Sequence, residues 1–314
     1  MKRSRTSTKR CLNESRKIRE FSQKIFLSIR RREFSQRIRT PIKKEEPTKK
    51  KDDKISTTST EALRITGALL WLTTRTRIDL ALVSHKSAKT ALNDSAYSVA
   101  VGKRGLRYLK GTTDYAIVYS PGPKDQADRR EALDTYSDAS HMADWERSQL
   151  GVVCYLNYAP IAWRTTMAPL AAGSTCESEL QAAMLGCQMA IGLATLLEDL
   201  GMIPEVWHGI DNQASLTVLQ DTSSWRTRHL AIRSAVLRDM VREGIIKCTH
   251  VRSRDQRADG LTKFLKPELH KLAVENWNIK PMSMVFNDAY DNNANNDETD
   301  TLIRTPALEA KGST

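Results

Sequence analysis

The sequence predicts an α/β protein in which a mixed β-sheet follows a mostly helical region. Three observations lead to this prediction. Apolar residues recur at helical spacing between residues 61 and 110. Three strand-like runs lie between residues 133 and 166, and a long helical pattern follows them. Strands and helices then alternate up to residue 264, an order that favours a mixed sheet with helices packed on its faces.

The helical region is expected in the first half of the chain. An amphipathic basic helix is predicted over residues 16–39, where isoleucine and phenylalanine recur among arginines. Gly111 is expected to end the last helix, as glycine commonly does. The further predictions are helices at 61–72, 78–92 and 97–110, a short strand at 115–119 and a turn at Pro121–Pro123.

The sheet is expected in the second half. Ser174 or Thr175 can cap the long helix, which runs to about Leu200. The predicted strands are 133–138, 151–157, 160–166, 205–210 and 245–252, and the predicted later helices are 212–219, 228–242 and 259–264.

These patterns define four segments. The predicted segments are a disordered basic tail (1–20), a helical region (21–123) with a charged linker (43–60), a sheet domain (130–277) and a disordered acidic, Asn-rich tail (278–314).

Length and composition fit one large domain or two modest ones. The chain has 314 residues, of which 40% are apolar, enough to form a core. No stretch approaches the roughly 18 apolar residues of a membrane span, and the N-terminus lacks the apolar part of a signal peptide. We therefore expect no membrane partner. The five cysteines contain no C-x-x-C pair, which predicts reduced thiols in an intracellular protein, cytoplasmic or nuclear, without zinc or disulfides.

The positive charge is concentrated in one segment. Residues 1–54 contain 20 Lys/Arg against 7 Asp/Glu, whereas the other 260 residues contain 29 against 30. The net charge of +12 therefore describes a basic N-terminal arm and not the body of the protein. Such an arm suggests contact with a nucleic-acid backbone, with an affinity that falls steeply as salt increases. A solvated tail or a nuclear-import signal would explain the same composition.

Four carboxylates are candidate ligands for divalent cations. Asp138 ends a strand-like run, Glu179 lies near the start of the long helix, Asp211 follows another strand, and Asp259 precedes Gly260. Hard cations take oxygen ligands, and two ions held close together need several carboxylates from different elements. Each residue alone is typical of a helix cap or a solvated charge. The set of four at strand ends and helix starts predicts a metal site.

Several motifs occur in the order found in one protein family. Thr76-Arg77-Ile78-Asp79-Leu80 is followed by Leu106-Arg107-Tyr108-Leu109-Lys110-Gly111-Thr112, and Asp211-Asn212-Gln213 comes later, before Asp255-Gln256-Arg257-Ala258-Asp259-Gly260-Leu261-Thr262-Lys263. From about Phe21 to Trp277 the chain resembles the C-terminal part of a copia-type LTR-retrotransposon Pol polyprotein. The resemblance rests on the order of the motifs, since no single one is specific.

The resemblance implies the end of a reverse transcriptase, thumb and connection, followed by a ribonuclease H-like fold. It places the catalytic and metal-binding carboxylates at Asp138, Glu179, Asp211 and Asp259. Glu179 is preferred to Glu177 because the family's glutamate precedes an apolar residue and then x-Ala. The Y-x-D-D motif of the polymerase is missing from the sequence, so we expect ribonuclease H activity without DNA synthesis.

The implied activity is hydrolysis of the RNA strand of RNA–DNA hybrids with two Mg²⁺ ions, for which Mn²⁺ is an alternative. Hybrid selection requires contacts with 2′-hydroxyls across the minor groove. The candidate nucleic-acid contacts are Asn212, Gln213 and Arg164 for hydroxyls, and Arg228, His229 and Lys263 for phosphates. His250 precedes Asp259 by nine residues and is a candidate auxiliary residue near the leaving group, although its place within a predicted strand favours a structural role. A complete reverse transcriptase is a further expected partner.

Two other hypotheses stay open at this point. One is an inactive relic of a truncated element, which keeps the carboxylates but does not fold without the rest of the polymerase. The other is a non-catalytic nucleic-acid-binding module that uses the basic N-terminal arm.

Overall fold

The computed structural model describes residues 39–41, 55–119, 132–141, 147–219 and 231–285. The helices are α1 (Ile55–Thr73), α2 (Ala81–Thr90), α3 (Ser95–Lys110), α4 (Thr175–Asp199), α5 (Gln213–Leu219), α6 (Ala231–Arg242), α7 (Asp259–Thr262) and α8 (Pro267–Asn276). The strands are β1 (Tyr115–Ile117), β2 (Ala132–Ser140), β3 (Gln149–Leu156), β4 (Ala159–Met167), β5 (Glu205–Ile210), β6 (Lys247–His250) and β7 (Ile279–Pro281).

The main sheet has five strands in the order β4-β3-β2-β5-β6. β2, β3 and β4 form an antiparallel meander, whereas β2, β5 and β6 run parallel to one another. Parallel neighbours need long crossover connections, and α4 lies in the connection that leads from the meander to β5. The mixed sheet predicted from the sequence is confirmed.

The long helix α4 packs across one face of the sheet. Leu180, Ala183 and Cys187 lie with Leu133 and Val152 in a buried apolar cluster between helix and strands. Close approach depends on Gly186, where an added Cβ would lie 2.4 Å from Cε1 of His208. By length and composition alone, α4 is a helix that could cross a membrane. Its apolar composition also follows from its position, because it covers one face of the sheet. The sequence prediction missed this property, which packing in the core explains.

His208 lies in the core between β5, β2 and α4. The ring is fully buried, and Nε2 lies 2.8 Å from Oγ of Ser137. Burial disfavours the charged imidazolium and lowers the pKa of His208 to about 4. His208 therefore joins β5 to β2 as a neutral side chain.

The helices α1, α2 and α3 form a second apolar core. Leu69, Leu80, Val83 and Leu109 are buried within it. At Gly102 an added Cβ would lie 2.4 Å from Cγ2 of Ile65, so this glycine allows α3 to approach α1 closely. The helices expected at 61–72, 78–92 and 97–110 are thus present as α1, α2 and α3.

A buried polar cluster connects this helical region to the C-terminal helix α8. Nε and Nη2 of Arg77 donate to the Asp79 carboxylate at 2.9 and 2.7 Å, and the Tyr108 hydroxyl donates to the same carboxylate at 2.9 Å. Nε2 of His270 on α8 lies 3.2 Å from the Tyr108 hydroxyl. On the sheet side, Nε1 of Trp163 donates to the Thr73 carbonyl at 2.7 Å. The helical region therefore packs against the sheet domain as part of one structure.

Two boundaries differ from the sequence prediction. α1 begins at Ile55, inside the predicted linker 43–60, because Ala62 and Ile65 in its middle are buried in the second core. The segment 278–314, predicted to be disordered throughout, begins with β7, which pairs antiparallel with β1 some 160 positions earlier. A strand of three residues depends on that distant partner, so no local pattern reveals it. The predicted basic helix 16–39 and the turn at 121–123 lie almost entirely outside the described residues.

Candidate metal centre

Three of the predicted carboxylates converge at one edge of the sheet. Asp138 lies near the end of β2, Asp211 follows β5 directly, and Glu179 lies near the start of α4. Because β2 and β5 are parallel neighbours with Tyr136 opposite Gly209, the two aspartates come level with each other. One oxygen from each of the three carboxylates lies within 4.8 Å of the other two. This spacing suits a shared divalent cation.

The start of α4 separates the roles of its two glutamates. The Ser174 side chain accepts a hydrogen bond from the amide of Glu177 and caps the helix, as the sequence predicts. The Glu177 carboxylate turns back and accepts from the amide of Gly173 at 2.8 Å. Glu177 is thus occupied in the loop, and Glu179 points toward Asp138 and Asp211, the choice made from the sequence.

Asp259 joins the cluster through a lysine. Nζ of Lys263 lies 2.9 Å from Asp138 and 2.8 Å from Asp259, and so bridges the two carboxylates. The Thr262 hydroxyl also donates to the Asp138 carboxylate. Asp259 therefore lies next to the three-carboxylate group and not within it. Lys263, predicted as a phosphate contact, is engaged with carboxylates.

The approach of α7 to the sheet depends on Gly151. This residue lies opposite Asp138 on β3, and an added Cβ would lie 2.7 Å from both Cβ of Leu261 and Cγ2 of Thr262. With glycine at this position, α7 can lie directly on the sheet. The side chains of Thr262 and Lys263 then reach Asp138.

The electrostatics of the cluster favour a bound cation. Burial raises the pKa of Glu179 to about 9, and the negative charges of Asp138 and Asp211 contribute to the rise. Burial and Asp138 likewise raise the pKa of Asp259 to about 6, and they raise the pKa of Asp211. Burial alone would lower the pKa of Lys263, but Asp138 and Asp259 raise it above the usual value. The carboxylates thus repel one another more than the single lysine compensates.

One buried oxygen is a direct indication that these residues fit a cation. Oε2 of Glu179 has no hydrogen-bond partner among the described residues, although the residue is only 7% exposed. A buried carboxylate oxygen without a donor is costly, and a divalent ion would satisfy it. The donor set is made of oxygen atoms alone, which suits Mg²⁺ or Mn²⁺.

The motif around Asp259 also holds the site together. Nε2 of Gln256 donates to the Ser137 carbonyl at 2.9 Å, next to Asp138. The Arg257 guanidinium lies 5.0 Å from the ring centre of Tyr136 and 4.6 Å from that of Tyr155. Sequence reasoning assigned no role to Gln256, Arg257 or Thr262. Their place in the motif beside Asp259 was the available signal.

A second network missed from the sequence anchors the first turn of α4. Ser178 Oγ lies 2.8 Å from both His141 Nδ1 and Ser148 Oγ. His141 follows β2 and Ser148 precedes β3, so the network fixes α4 against the sheet edge that carries Asp138. Each residue is polar and unremarkable in isolation, and only folding brings the three together.

The other predicted site residues lie around the cluster. The Asn212 side-chain oxygen accepts from the Ser215 amide at 3.0 Å and caps α5, while Gln213 and Arg164 are exposed. Nε2 of His250 lies 3.2 Å from the Asp211 carbonyl, beside the cluster. Arg228 and His229 lie outside the described residues.

The fold and the site together place three converging carboxylates at one edge of a mixed sheet, and known proteins share parts of this chain's sequence. No family model matches it. The retrovirus-related Pol polyproteins from transposons RE2 and RE1 of Arabidopsis thaliana are 29% and 28% identical to it over 183 and 214 residues. These alignments cover 57% and 67% of this chain but only 12% and 14% of the relatives. The Ty1-DR1 Gag-Pol polyprotein of Saccharomyces cerevisiae is 23% identical over 221 residues, which is 69% of this chain and 12% of the relative.

The relatives of this chain are thus Pol polyproteins of copia-type retrotransposons, which confirms the resemblance seen in the sequence. The chain spans about an eighth of their length. Among solved structures, LC11-RNase H1 isolated from compost has a TM-score of 0.35 and 16% identity, and the N-terminal RNase H domain of Rv2228c from Mycobacterium tuberculosis has 0.34 and 14%. The matches cover 42% and 46% of this chain and 93% and 96% of those chains.

Proposed function

We propose that this chain is a ribonuclease H that hydrolyses the RNA strand of RNA–DNA hybrids, as a part of a retrotransposon Pol polyprotein. The observation that carries the proposal is the convergence of Asp138, Glu179 and Asp211 at the edge of a ribonuclease H-like sheet. The relationship to Pol polyproteins supports the same function.

In the proposed mechanism, Asp138, Glu179 and Asp211 would hold a divalent cation, and the neighbouring Asp259 would complete a four-carboxylate set for two Mg²⁺ ions. A bound divalent cation supplies Lewis-acid stabilisation of the phosphate charge and lowers the pKa of bound water. Lys263 holds Asp138 and Asp259 close together. Asp138 is fully buried, so its orientation depends on Thr262 and Lys263.

The residues around the cluster are proposed to position the hybrid. Gln213 and Arg164 are exposed and can reach a strand, and the amide nitrogen of Asn212 stays available while its oxygen caps α5. Arg228 and His229 are proposed phosphate contacts. His250 is proposed to act near the leaving group, because it lies beside Asp211 and is exposed. The basic N-terminal arm is proposed to contact the nucleic-acid backbone, and a complete reverse transcriptase is a proposed partner in an intracellular setting.

The proposal is tested by incubating the purified chain with a labelled RNA–DNA hybrid and Mg²⁺. Asp138→Asn is the matched variant, because it keeps the side-chain shape but removes the charge. A duplex DNA of the same sequence is the substrate control. We expect cleavage of the hybrid alone, lost with EDTA and with Asp138→Asn.

Other outcomes would favour the alternatives. A well-folded chain that binds hybrid without cleaving it would be a nucleic-acid-binding module. A chain that shows no cooperative melting transition would be an inactive relic. Either result would refute the proposed activity.

A further inference from the structure

A cavity lies between the helical region and the outer strand of the sheet. Its volume is about 420 Å³, and it is lined by the end of α1, by α2 and by β4. β4 is an outer strand of the five-stranded sheet, and its outer edge has no strand partner among the described residues. The lining includes Thr73, Arg75, Ser84, Arg164 and Thr165.

Two buried hydroxyl groups belong to this lining and have no hydrogen-bond partner among the described residues. They are Oγ1 of Thr73 and Oγ of Ser84. Thr73 is 6% exposed and Ser84 is fully buried. Buried polar atoms are almost always satisfied, and an unsatisfied one needs an explanation such as a bound ligand. Two of them at one cavity indicate that it receives a hydrogen-bonding group.

The charge of the lining identifies the kind of group. Arg75 and Arg164 contribute guanidinium groups, both residues are exposed, and the lining contains no Asp or Glu. Neither guanidinium forms an ion pair within the part of the chain that the structure describes. Guanidinium and hydroxyl donors around one space suit an oxyanion, and a phosphate in particular.

The cavity also lies at a useful distance from the carboxylates. Asp138 on β2 is opposite Gly151 on β3, which is opposite Thr165 on β4. Two strand spacings separate the first and last of these residues, a distance of roughly 10 Å. Measured along the axis of a duplex, this distance corresponds to about three base-pair steps. A strand held at the carboxylates can therefore place a neighbouring phosphate at the cavity.

We propose that this cavity binds a backbone phosphate of the nucleic-acid substrate, with Arg75 and Ser84 as its principal contacts. Arg75 neutralises the phosphate charge, and the hydroxyls of Ser84 and Thr73 donate hydrogen bonds to its oxygens. The inference rests on the proposed function for the identity of the strand. It adds a contact from the helical region, which would make that region part of the substrate-binding surface.

The test measures hybrid binding in EDTA, where cleavage cannot occur. Arg75→Gln and Ser84→Ala are compared with the wild type and with Arg242→Gln, a control at an exposed arginine paired with Asp239. We expect Arg75→Gln to weaken binding by about tenfold and to reduce the slope of log K against log salt by roughly 0.7–0.9. Ser84→Ala removes no charge, so it should weaken binding about threefold and leave the slope unchanged. Since Oγ of Ser84 has no partner, Ser84→Ala should melt at or above the wild-type temperature.

The salt slope separates a phosphate contact from a structural effect. The proposal would be overturned if both cavity variants kept the wild-type affinity and the wild-type slope of log K against log salt. It would also be overturned if the wild-type chain failed to bind hybrid. Inorganic phosphate that raises the melting temperature of the wild type and not of Ser84→Ala would support the same chemistry from a free ligand. Cleavage in Mg²⁺ is assayed in parallel. If the cavity variants bind hybrid more weakly but the wild type does not cleave it, the phosphate site is supported and the nuclease activity is refuted. If the wild type cleaves the hybrid but the variants bind it normally, the nuclease activity is supported and the phosphate site is refuted.

Discussion

The buried ion pair in the helical region allows a quantitative prediction about how firmly the parts of the chain are connected. The Asp79 side chain is fully buried and accepts two hydrogen bonds from Arg77 and one from Tyr108. Burial alone would raise the pKa of Asp79, but Arg77 and Tyr108 hold it below its usual value. Asp79 is therefore a carboxylate inside the protein, and the Arg77 guanidinium, 4% exposed, depends on it.

Replacing Asp79 with Ala leaves this guanidinium buried without a counter-charge. Breaking one partner of a buried pair costs about 3–5 kcal/mol. For a domain of this size each kcal/mol lowers the melting temperature by roughly 2–4 °C, so we expect a decrease of roughly 6–20 °C. Asp79→Asn keeps the side-chain shape and one acceptor oxygen, so its melting temperature should lie between those of the wild type and Asp79→Ala.

The assay is urea unfolding followed by both far-UV circular dichroism and tryptophan fluorescence. Asp239→Ala is the matched control, because it breaks the exposed pair with Arg242 and should change stability by less than about 1 kcal/mol. Coincident transitions in both signals would indicate that helical region and sheet unfold together. A loss below about 1 kcal/mol for Asp79→Ala would refute the assigned role of the cluster. A separate early transition would refute the packing of the helical region with the sheet domain.

Three further predictions concern the metal centre. The pKa of Glu179 in the folded state is about 9, far above the usual value of about 4.3. Between these two pH values the folded state therefore binds more protons than the unfolded state. The free energy of unfolding in EDTA should fall as the pH rises through this window. Urea unfolding at pH 6 and pH 8.5 should show that the wild type loses on the order of 2 kcal/mol of unfolding free energy at the higher pH. Glu179→Gln should largely remove this loss. An equal loss in the variant would show that Glu179 is not its cause. Mg²⁺ at 100 times its dissociation constant should stabilise the wild type by about 2.7 kcal/mol and Glu179→Gln by clearly less, measured as a melting-temperature shift at pH 7.5. Gly151→Ala should cost about 1–3 kcal/mol of stability and lower kcat/KM for the hybrid by more than the loss of folded protein explains, because the added Cβ displaces Thr262 from Asp138. The control Gly192→Ala has open space at its Cβ, so it should leave kcat/KM unchanged and stability unchanged or slightly higher. Equal behaviour of the two glycine variants would refute this account.

Residue type and spacing were sufficient to predict the strands of the mixed sheet and the long helix. Helical periodicity and strand-like runs depend only on neighbouring residues, so the mixed sheet could be predicted without any distant contact. The preference for Glu179 over Glu177 came from the family resemblance, and the structure brings Glu179 to Asp138. The motif order pointed to Pol polyproteins, which the relatives confirm.

Only the tertiary structure decided how distant residues meet. β7 exists because β1 provides a partner, and the bridge from Asp259 to Asp138 exists because Gly151 lets α7 approach. The sequence determined which side chains carry charge, because charge is a property of each residue. Which of those charges repel, pair or lose their hydrogen-bond partners depends on burial and on distances between remote elements, and these arise only when the chain folds.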